Sequence, residues 1–530
     1  MGESATRSQP TEEILDYVVV GGGPAGLQLA YFLHRQGRSY RLLEAGDDVG
    51  TFFTRYPRHR RLISNNKVHT GFDDPEMRLR WDWNSLLSDD PELVFTRYSP
   101  DYFPKADDLV RYLRDFRVRH GLAVTSGARV ERITRGVDAS GQSLFSLVDG
   151  HGRRWRARRV VVATGFAKPF TPPDVPGIEH AEQYADVSSD PADFTGQRVL
   201  VVGKGNSGFE TAENIFQHTA STHMLSPSPV RLAWTTHHVS DVRAVYVNTL
   251  DSYQLKMQNT ILDGSLESIE KLSDGRLRVD FRYNHAHGQQ WSLDVDRVVL
   301  CTGFRPDFSV FGQGAVPETV YGGRFPALTS SWESVNVPDL FFAGTLMQGR
   351  DFKRSFSGFI HGFRYNIRFL AGLFAERYHG EAAAWQELER TPDALVERIA
   401  WRATTASSAF QMPGFLGDVY VLDGPEGTAA TRTEVPVEFA LDSPELAGRP
   451  VLLTTLEYGK LPPGADPFHV ERDPADGSTS QFIHPVLRLY RDGELLDTHH
   501  IPEDLENEWD KEMYLKPARE AVGRMLDLLR

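Results

Sequence analysis

The sequence predicts an α/β protein with two Rossmann-like dinucleotide-binding domains, the second inserted in the first, and an appended C-terminal α+β region. Three observations predict it. Two glycine-rich loops, Gly21-Gly22-Gly23-Pro24-Ala25-Gly26 and Gly203-Lys204-Gly205-Asn206-Ser207-Gly208, each follow an apolar β-branched run and open a helix-like stretch. Two later apolar runs end alike, in Ala163-Thr164-Gly165 and Cys301-Thr302-Gly303, as strands closing such units would. After residue 385 helical stretches give way to strand-like ones such as Val451-Leu452-Leu453-Thr454-Thr455. The expected parts are a first nucleotide domain over residues 14–185 and 300–384, a second over 186–299, and the appended region over 385–530.

Each element follows from local pattern. Residues before Ile14 are polar and read as disordered. Tyr17-Val18-Val19-Val20 is a continuous apolar run, the mark of a parallel strand buried on both faces. A helix is expected from Pro24 to Arg35, and Gly37 then turns the chain into the strand Tyr40-Arg41-Leu42-Leu43. Residues 50–100 are rich in aromatics and arginine without a clean period, and read as loops and short helices over a cofactor. Helical spacing runs from Asp107 to Arg119, strands from Ala123 to Asp149 with a hairpin at Gly141, and a buried strand from Arg159 to Thr164. Pro169 to Pro176 is a linker. The second unit starts at Val199-Leu200-Val201-Val202, continues through Thr222-His223-Met224-Leu225 and closes at Val298 to Gly303. Leu340 to Gly344 is a further buried strand, ahead of a helix from Phe359 to Glu376.

Composition narrows the function. A chain of 530 residues accommodates two or three domains, and 40% hydrophobic with 25% charged residues is ordinary for a soluble globular protein. A net charge of −14 argues against non-specific nucleic-acid binding. No apolar run approaches the ~18 residues of a membrane span. Met1 to Glu13 is polar, without a signal-peptide core, and the sequence ends Asp527-Leu528-Leu529-Arg530 without a retention tetrapeptide, so a cytoplasmic location is expected. The excess of arginine over lysine points to a GC-rich bacterial genome. The single cysteine, Cys301, lies in an apolar run and reads as a small buried hydrophobe. One cysteine forms no intramolecular disulfide and no cysteine-based metal site. Electrons leaving a flavin in this chain therefore need another acceptor, and dioxygen is the leading one. A small-molecule substrate completes the expected partners, and a homodimer is the assembly considered.

The glycine loops carry the cofactor expectations. In the first, Gly21 permits the tight turn, Gly23 lets the backbone approach a pyrophosphate, and Gly26 allows close helix–strand packing; Pro24 and Ala25 open the helix whose N–H groups face the anion. Glu44 ends the next strand, about twenty residues on, where a carboxylate accepts hydrogen bonds from ribose hydroxyls. An N-terminal site with this glutamate is expected to hold FAD. In the second loop Gly203, Gly205, Asn206, Ser207 and Gly208 repeat the arrangement, but the following strand ends in Ser226 instead of an acid. A 2′-phosphate is then not repelled, and Ser226, Ser228 and Arg231 are candidates to receive it, which favours NADPH over NADH. An exposed surface charge is the alternative role for Arg231. Thr164 and Gly165 connect the nucleotide domains close to the cofactor, as a hinge would.

Asn65, in Ile63-Ser64-Asn65-Asn66-Lys67, carries an amide that both donates and accepts, which suits a flavin peroxide held in a dry site. A turn-forming Asn pair is the alternative. Arg55, Arg58, His59, Arg60 and Arg61 form either an anion site or a solvated basic loop. His361 lies in the last predicted helix and reads as structural. No metal-ligand spacing and no hydrolase triad is present.

VVVGGGPAGLQLA, VVGKGNSGFETAEN and LISNNK resemble the FAD fingerprint, the NADPH fingerprint and the active-site asparagine segment of the flavin-containing monooxygenase superfamily, the last mapping that asparagine onto Asn65. FFTRYPRHRRLISNNK, WDWNSLLSDDPELVF, GFIHGFRYNIR and FIHPVLRLY resemble more closely the endoplasmic-reticulum flavoproteins of the FAD-dependent oxidoreductase domain-containing protein 2 family, and this resemblance reaches into the appended region. It implies non-covalent FAD and a two-nucleotide architecture. Where disulfide reductases carry Gly-Asp near the flavin ribityl chain, this sequence has Gly344-Thr345, as monooxygenases do. The segment Val175 to His180 lacks the Phe of the superfamily linker and places His one position early, which tells against Baeyer–Villiger chemistry. The expected function is an FAD- and NADPH-dependent monooxygenase. It would form a flavin C4a-(hydro)peroxide and oxygenate a small soft nucleophile, by amine N-hydroxylation or S-oxygenation, in a biosynthetic pathway. The alternatives are an NADPH oxidase or reductase without oxygen insertion, and an FAD-stabilised non-catalytic protein whose residues 385–530 bind a partner.

Overall fold

The computed structural model describes residues 13–255, 258–424, 427–462, 464–466 and 468–530. The disorder expected before Ile14 falls on residues outside that range. The first domain contains β1 (Ile14–Val20), α1 (Pro24–Arg35), β2 (Tyr40–Leu43), α2 (Thr51–Arg55), α3 (Pro75–Arg78), α4 (Ala106–Arg119), β3 (Val124–Thr125), β4 (Val130–Val137), β5 (Ser143–Asp149) and β6 (Arg154–Val162). Their sheet has the order β3-β2-β1-β6-β5-β4. β1 runs parallel to both neighbours, Val18 lying between Arg41 and Val160. Val18, Val19, Leu42, Val160 and Val161 are fully buried, which is why the sequence reads here as apolar runs without alternation. β6 starts five residues before the expected Arg159, because its charged first half pairs antiparallel with β5, Arg156 opposite Ser146.

The inserted domain begins with β7 (Lys168–Pro169), β8 (Glu182–Gln183), β9 (Arg198–Val202), α5 (Asn206–Ile215), β10 (Ser221–Ser226), α6 (Ala233–Thr236) and α7 (Val247–Leu255). It is completed by β11 (Asn259–Lys271), β12 (Leu277–Tyr283), β13 (Gln290–Val295) and β14 (Arg297–Leu300). Its sheet order is β13-β12-β11-β10-β9-β14-β8, with β9 parallel to β10 and β14. The chain then passes through β15 (Phe304–Arg305), which pairs with β7, and through the β16 (Thr319–Val320) and β17 (Phe325–Pro326) hairpin. β18 (Leu340–Phe342) lies parallel against β6 with Phe341 opposite Val161, so the chain rejoins its first sheet after the whole inserted domain. α8 (Ile360–His379) follows and ends at Gly380 in the left-handed region, one residue beyond its own last histidine.

The remaining residues build a six-stranded antiparallel sheet, β19 (Gln386–Glu389), β20 (Leu416–Val421), β21 (Thr428–Pro436), β22 (Val451–Glu457), β23 (His484–Arg491) and β24 (Glu494–His500), in the order β19-β21-β20-β22-β23-β24. The helices α9 (Pro392–Thr405), α10 (Ser407–Gln411), α11 (Val437–Asp442) and α12 (Glu512–Asp527) interrupt or flank it. One apolar core joins both parts of the molecule: Phe415, Leu416, Val419, Val435 and Leu453 belong to the same buried cluster as Val18, Leu42 and Phe374. Among the described residues no helix is long and apolar enough to cross a membrane.

Candidate active site

The two glycine loops have the same geometry. Gly21 takes φ +111°, and a Cβ there would lie 2.6 Å from the Ala163 carbonyl oxygen; Gly203 takes φ +125°, with the Cys301 carbonyl oxygen 2.2 Å from a Cβ. A side chain on Gly26 would meet the Gly21 carbonyl at 1.9 Å, and one on Gly208 the Gly203 carbonyl at 2.2 Å. Gly23 and Gly205 have nothing within 4 Å of a Cβ. They stand at the N-caps of α1 and α5, and neither helix start receives a side-chain cap. Backbone N–H groups with a partial positive charge thus face open space in both domains, which is the arrangement a pyrophosphate needs. Both loops fit a dinucleotide by this observation. Pro24 and Ala25 are buried in the first turn of α1, and Gly344 (φ +71°) packs so closely on Ala25 that a Cβ would lie 2.5 Å from its methyl group. Thr164 is exposed and Gly165 has open space around it; both follow Ala163, the residue beneath Gly21.

The strand-end residues differ between the domains. Buried Glu44 accepts from the Gly22 and Gly46 N–H groups, each at 2.7 Å, and each carboxylate oxygen retains capacity for a hydroxyl donor. At the matching end of β10, the Ser226 hydroxyl donates to the Ser228 carbonyl at 3.3 Å. Arg231, expected to meet a phosphate, is paired with Asp241 at 3.1 Å and half exposed. Lys204, whose side chain is almost wholly buried, donates to the Leu262 carbonyl at 3.0 Å and pairs with Asp263, the residue beside Ser226 in the sheet. Both cations at this end of the domain therefore have carboxylate partners.

The side chain of Asn206 points to a task the fingerprint does not reveal. Its Nδ2 donates to the Ser240 and Asp241 carbonyls, each at 3.1 Å, and its Oδ1 accepts from the Arg243 N–H at 3.0 Å. The loop so fixed carries the Arg243 side chain across to the first domain. There Nη1 donates to the Ile63 carbonyl at 2.7 Å and Nη2 to Asn65 Oδ1 at 3.0 Å. The guanidinium also lies 5.3 Å from the centre of the Trp83 ring, whose own centroid is 4.4 Å from that of His361 in the first turn of α8. Burial, together with the charges of Arg364 and Arg243, holds His361 well below its ordinary value, so its ring is neutral. Ser207, the second residue of α5, accepts from Thr211 through its carbonyl. Asn66 is buried and donates to the Ser99 and Asp101 carbonyls, a structural role, whereas the Asn65 side chain faces Arg243.

A buried arginine supports this wall. Arg364 of α8 donates to the carbonyls of Asp82 at 2.9 Å, Ser85 at 2.8 Å and Leu79 at 2.8 Å, clamping the segment that carries Trp83. Asn84 of that segment donates to the Asn65 carbonyl at 3.2 Å. From the appended region, the Ala403 and Ala406 carbonyls accept from Arg80 at 2.8 and 3.1 Å. The basic run around residue 58 is not gathered into one anion site: its arginines have separate protein contacts, and Arg55 and Arg61 remain exposed to solvent. Arg55 pairs with Asp186, Arg58 donates to the Val187 carbonyl, Arg60 pairs with Asp107, and Arg61 lies over Phe103. Half-buried His59 is pushed down to about 4, mainly by desolvation. Tyr184 accepts from the Arg58 N–H and donates to Glu210 at 2.6 Å, and burial pushes the Glu210 carboxyl up to about 7. Cys301 is buried beside Thr211, and burial pushes its thiol up to about 12.

Arg243, Trp83 and Arg364 were not among the residues expected from sequence. Arg364 left a signal, as one of two arginines in the mainly apolar Phe359–Ala375 stretch. Arg243 left none, since its meaning depends on a contact 178 residues away in the chain. The buried polar atoms His361 Nε2, Ser355 Oγ, Asp351 Oδ1 and His238 Nε2, on or packed near the start of α8, have no hydrogen-bond partner among the described residues.

The chain matches the family described as pyridine nucleotide-disulphide oxidoreductase over residues 18–344. It is 39% identical over 564 aligned positions to FAD-dependent oxidoreductase domain-containing protein 2 of Mus musculus, covering 97% of this chain and 84% of the relative. In fold it is similar to a flavin-containing monooxygenase from Stenotrophomonas maltophilia (22% identity, TM-score 0.52, 69% of this chain and 99% of that one). It is also similar to the ornithine N-hydroxylase of Kutzneria sp. 744, described with reduced FAD, NADP+ and L-ornithine (17% identity, TM-score 0.52, 69% of this chain and all of that one). The chain therefore belongs to the pyridine nucleotide-disulphide oxidoreductase family, and within it to the group of the FAD-dependent oxidoreductase domain-containing protein 2 relatives.

Proposed function

We propose that this oxidoreductase is an FAD- and NADPH-dependent monooxygenase acting on a small soft nucleophile, an amine nitrogen or a sulfur. One observation carries the reading: both glycine loops present an open helix N-terminus, yet the chain has one cysteine, and it is buried with its thiol pushed up to about 12. With one cysteine there is no intramolecular dithiol route for the electrons, which favours dioxygen as the acceptor. The residues divide the work. The α1 N-terminus and Glu44 hold FAD, and the α5 N-terminus holds the NADPH pyrophosphate. Bound FAD supplies hydride acceptance and electron delivery to oxygen. Asn65 is held at the seam by Arg243 and Asn84, so its amide is positioned before any ligand arrives. Trp83 and neutral His361 close the wall with aromatic surface and exclude water. The neutral ring of His361 adds no charge to disturb proton transfer there.

The test is acceptor choice. FAD-loaded protein reduced anaerobically with NADPH is offered either dioxygen or a small disulfide such as cystine. Rapid reoxidation by oxygen alone supports the proposal. Stoichiometric thiol formation from the disulfide would refute it.

A further inference from the structure

Arg243 has an unusual standing in this seam. It is half-buried, and none of the described carboxylates pairs with it. Its two protein acceptors, the Ile63 carbonyl and Asn65 Oδ1, use two of the five guanidinium N–H groups. Because arginine only donates, Asn65 turns Oδ1 towards it, and the Asn65 Nδ2 group beside that oxygen has no acceptor among the described residues. Three guanidinium and two amide N–H groups are thus left at one place, together with an uncompensated positive charge. That set recognises an anion with two acceptor oxygens. The NADPH pyrophosphate has a seat of its own at the α5 N-terminus, away from this guanidinium. Asn206 holds only the backbone of Arg243, while the guanidinium is placed on the first-domain residues Ile63, Asn65 and Trp83.

We propose that Arg243 and Asn65 form the anchoring site for the carboxylate of the substrate, so that the molecule oxygenated is a small carboxylic acid carrying the reactive amine or sulfur. This rests on the monooxygenase reading for the identity of the ligand as substrate, but the anchor itself is tested by binding alone.

Binding is followed by perturbation of the flavin absorbance in the FAD-loaded, NADP+-saturated protein. The probes are benzoate, 3-phenylpropanoate and 4-(methylthio)butanoate, each against its primary amide. At least one carboxylate binds tenfold or more tightly than its amide. Arg243→Gln abolishes that preference, and Arg243→Lys restores part of it, which separates lost charge recognition from misfolding. No carboxylate outbinding its amide in the wild-type protein overturns the proposal. So does a pair of variants that weaken NADP+ but leave a carboxylate preference intact, because Arg243 then serves a nucleotide phosphate. Thiol formation from the disulfide in the acceptor experiment, with the carboxylate preference present, would remove the monooxygenase reading and leave the anion site.

Discussion

Asn65 and Glu210 show how far single side chains are set by their surroundings. Asn65 is held on one side by Arg243 and at its backbone by Asn84 and Trp83. Asn65→Ala removes an aligned amide while leaving the FAD seat untouched, so coupled oxygen insertion should fall roughly 100-fold while bound FAD per chain is retained. Oxygenated product measured per NADPH consumed checks this, and an unchanged ratio would exclude Asn65 from the chemistry. Glu210 makes a pH prediction. Its carboxyl is raised from the ordinary 4.5 to about 7 by burial, so the folded state binds a proton more tightly than the unfolded chain does. Stability from this group is therefore present below pH 4.5 and is lost as pH rises towards and past 7, in total about 3 kcal/mol. Glu210→Gln, which does not ionise, should gain thermal stability relative to wild type on going from pH 5 to pH 8. A pH-independent difference would contradict the assignment.

At the scale of elements, the paired glycine turns give the sharpest expectation. Gly26→Ala would place a methyl group against the Gly21 carbonyl, and Gly208→Ala against that of Gly203. The first should empty the chain of FAD. The second should leave FAD bound, with its ordinary absorbance, and slow reduction by NADPH at least tenfold. Equal loss of FAD in both would mean that the second loop does not serve the second nucleotide. These turns were legible in the sequence because everything that makes them is local: an apolar strand, glycines at fixed spacing, and a helix start. α1, β2, β9 and β10 were read within a residue for the same reason, whereas the apolar run read for β1 covers only its last four residues. The charged half of β6 was missed because its pattern alternates under a hairpin partner instead of forming a buried run. The helices α9 and α12 were missed because strand-like segments dominate the composition after residue 385. The wall of the site was illegible for a different cause. Arg243, Trp83 and His361 lie in three distant segments, and only the folded chain brings them into contact.

At the scale of the whole molecule, the appended region is structurally continuous with the first nucleotide domain. Their apolar residues share one core, and Arg80, itself buried, spans the boundary by binding two carbonyls at the end of α9. Arg368 and Arg432 of either side pair with Glu434 and Glu376 across the same boundary. Arg80→Met leaves those two carbonyls buried without donors, which costs about 3 kcal/mol. A single calorimetric unfolding transition should move to lower temperature, carrying FAD release with it. Two separated transitions would contradict a shared core.

On the proposed function, electrons entering at the second nucleotide seat leave through oxygen at the Asn65 wall. Rapid mixing of NADPH-reduced, FAD-loaded protein with oxygenated buffer, with hydrogen peroxide counted against oxidised flavin and a carboxylate-bearing thioether present, tests it most directly. The expected result is reoxidation that yields sulfoxide, and less free peroxide than flavin reoxidised. Immediate reoxidation with one peroxide per flavin and no sulfoxide, for every thioether and amine tried, would contradict it and make the protein an oxidase.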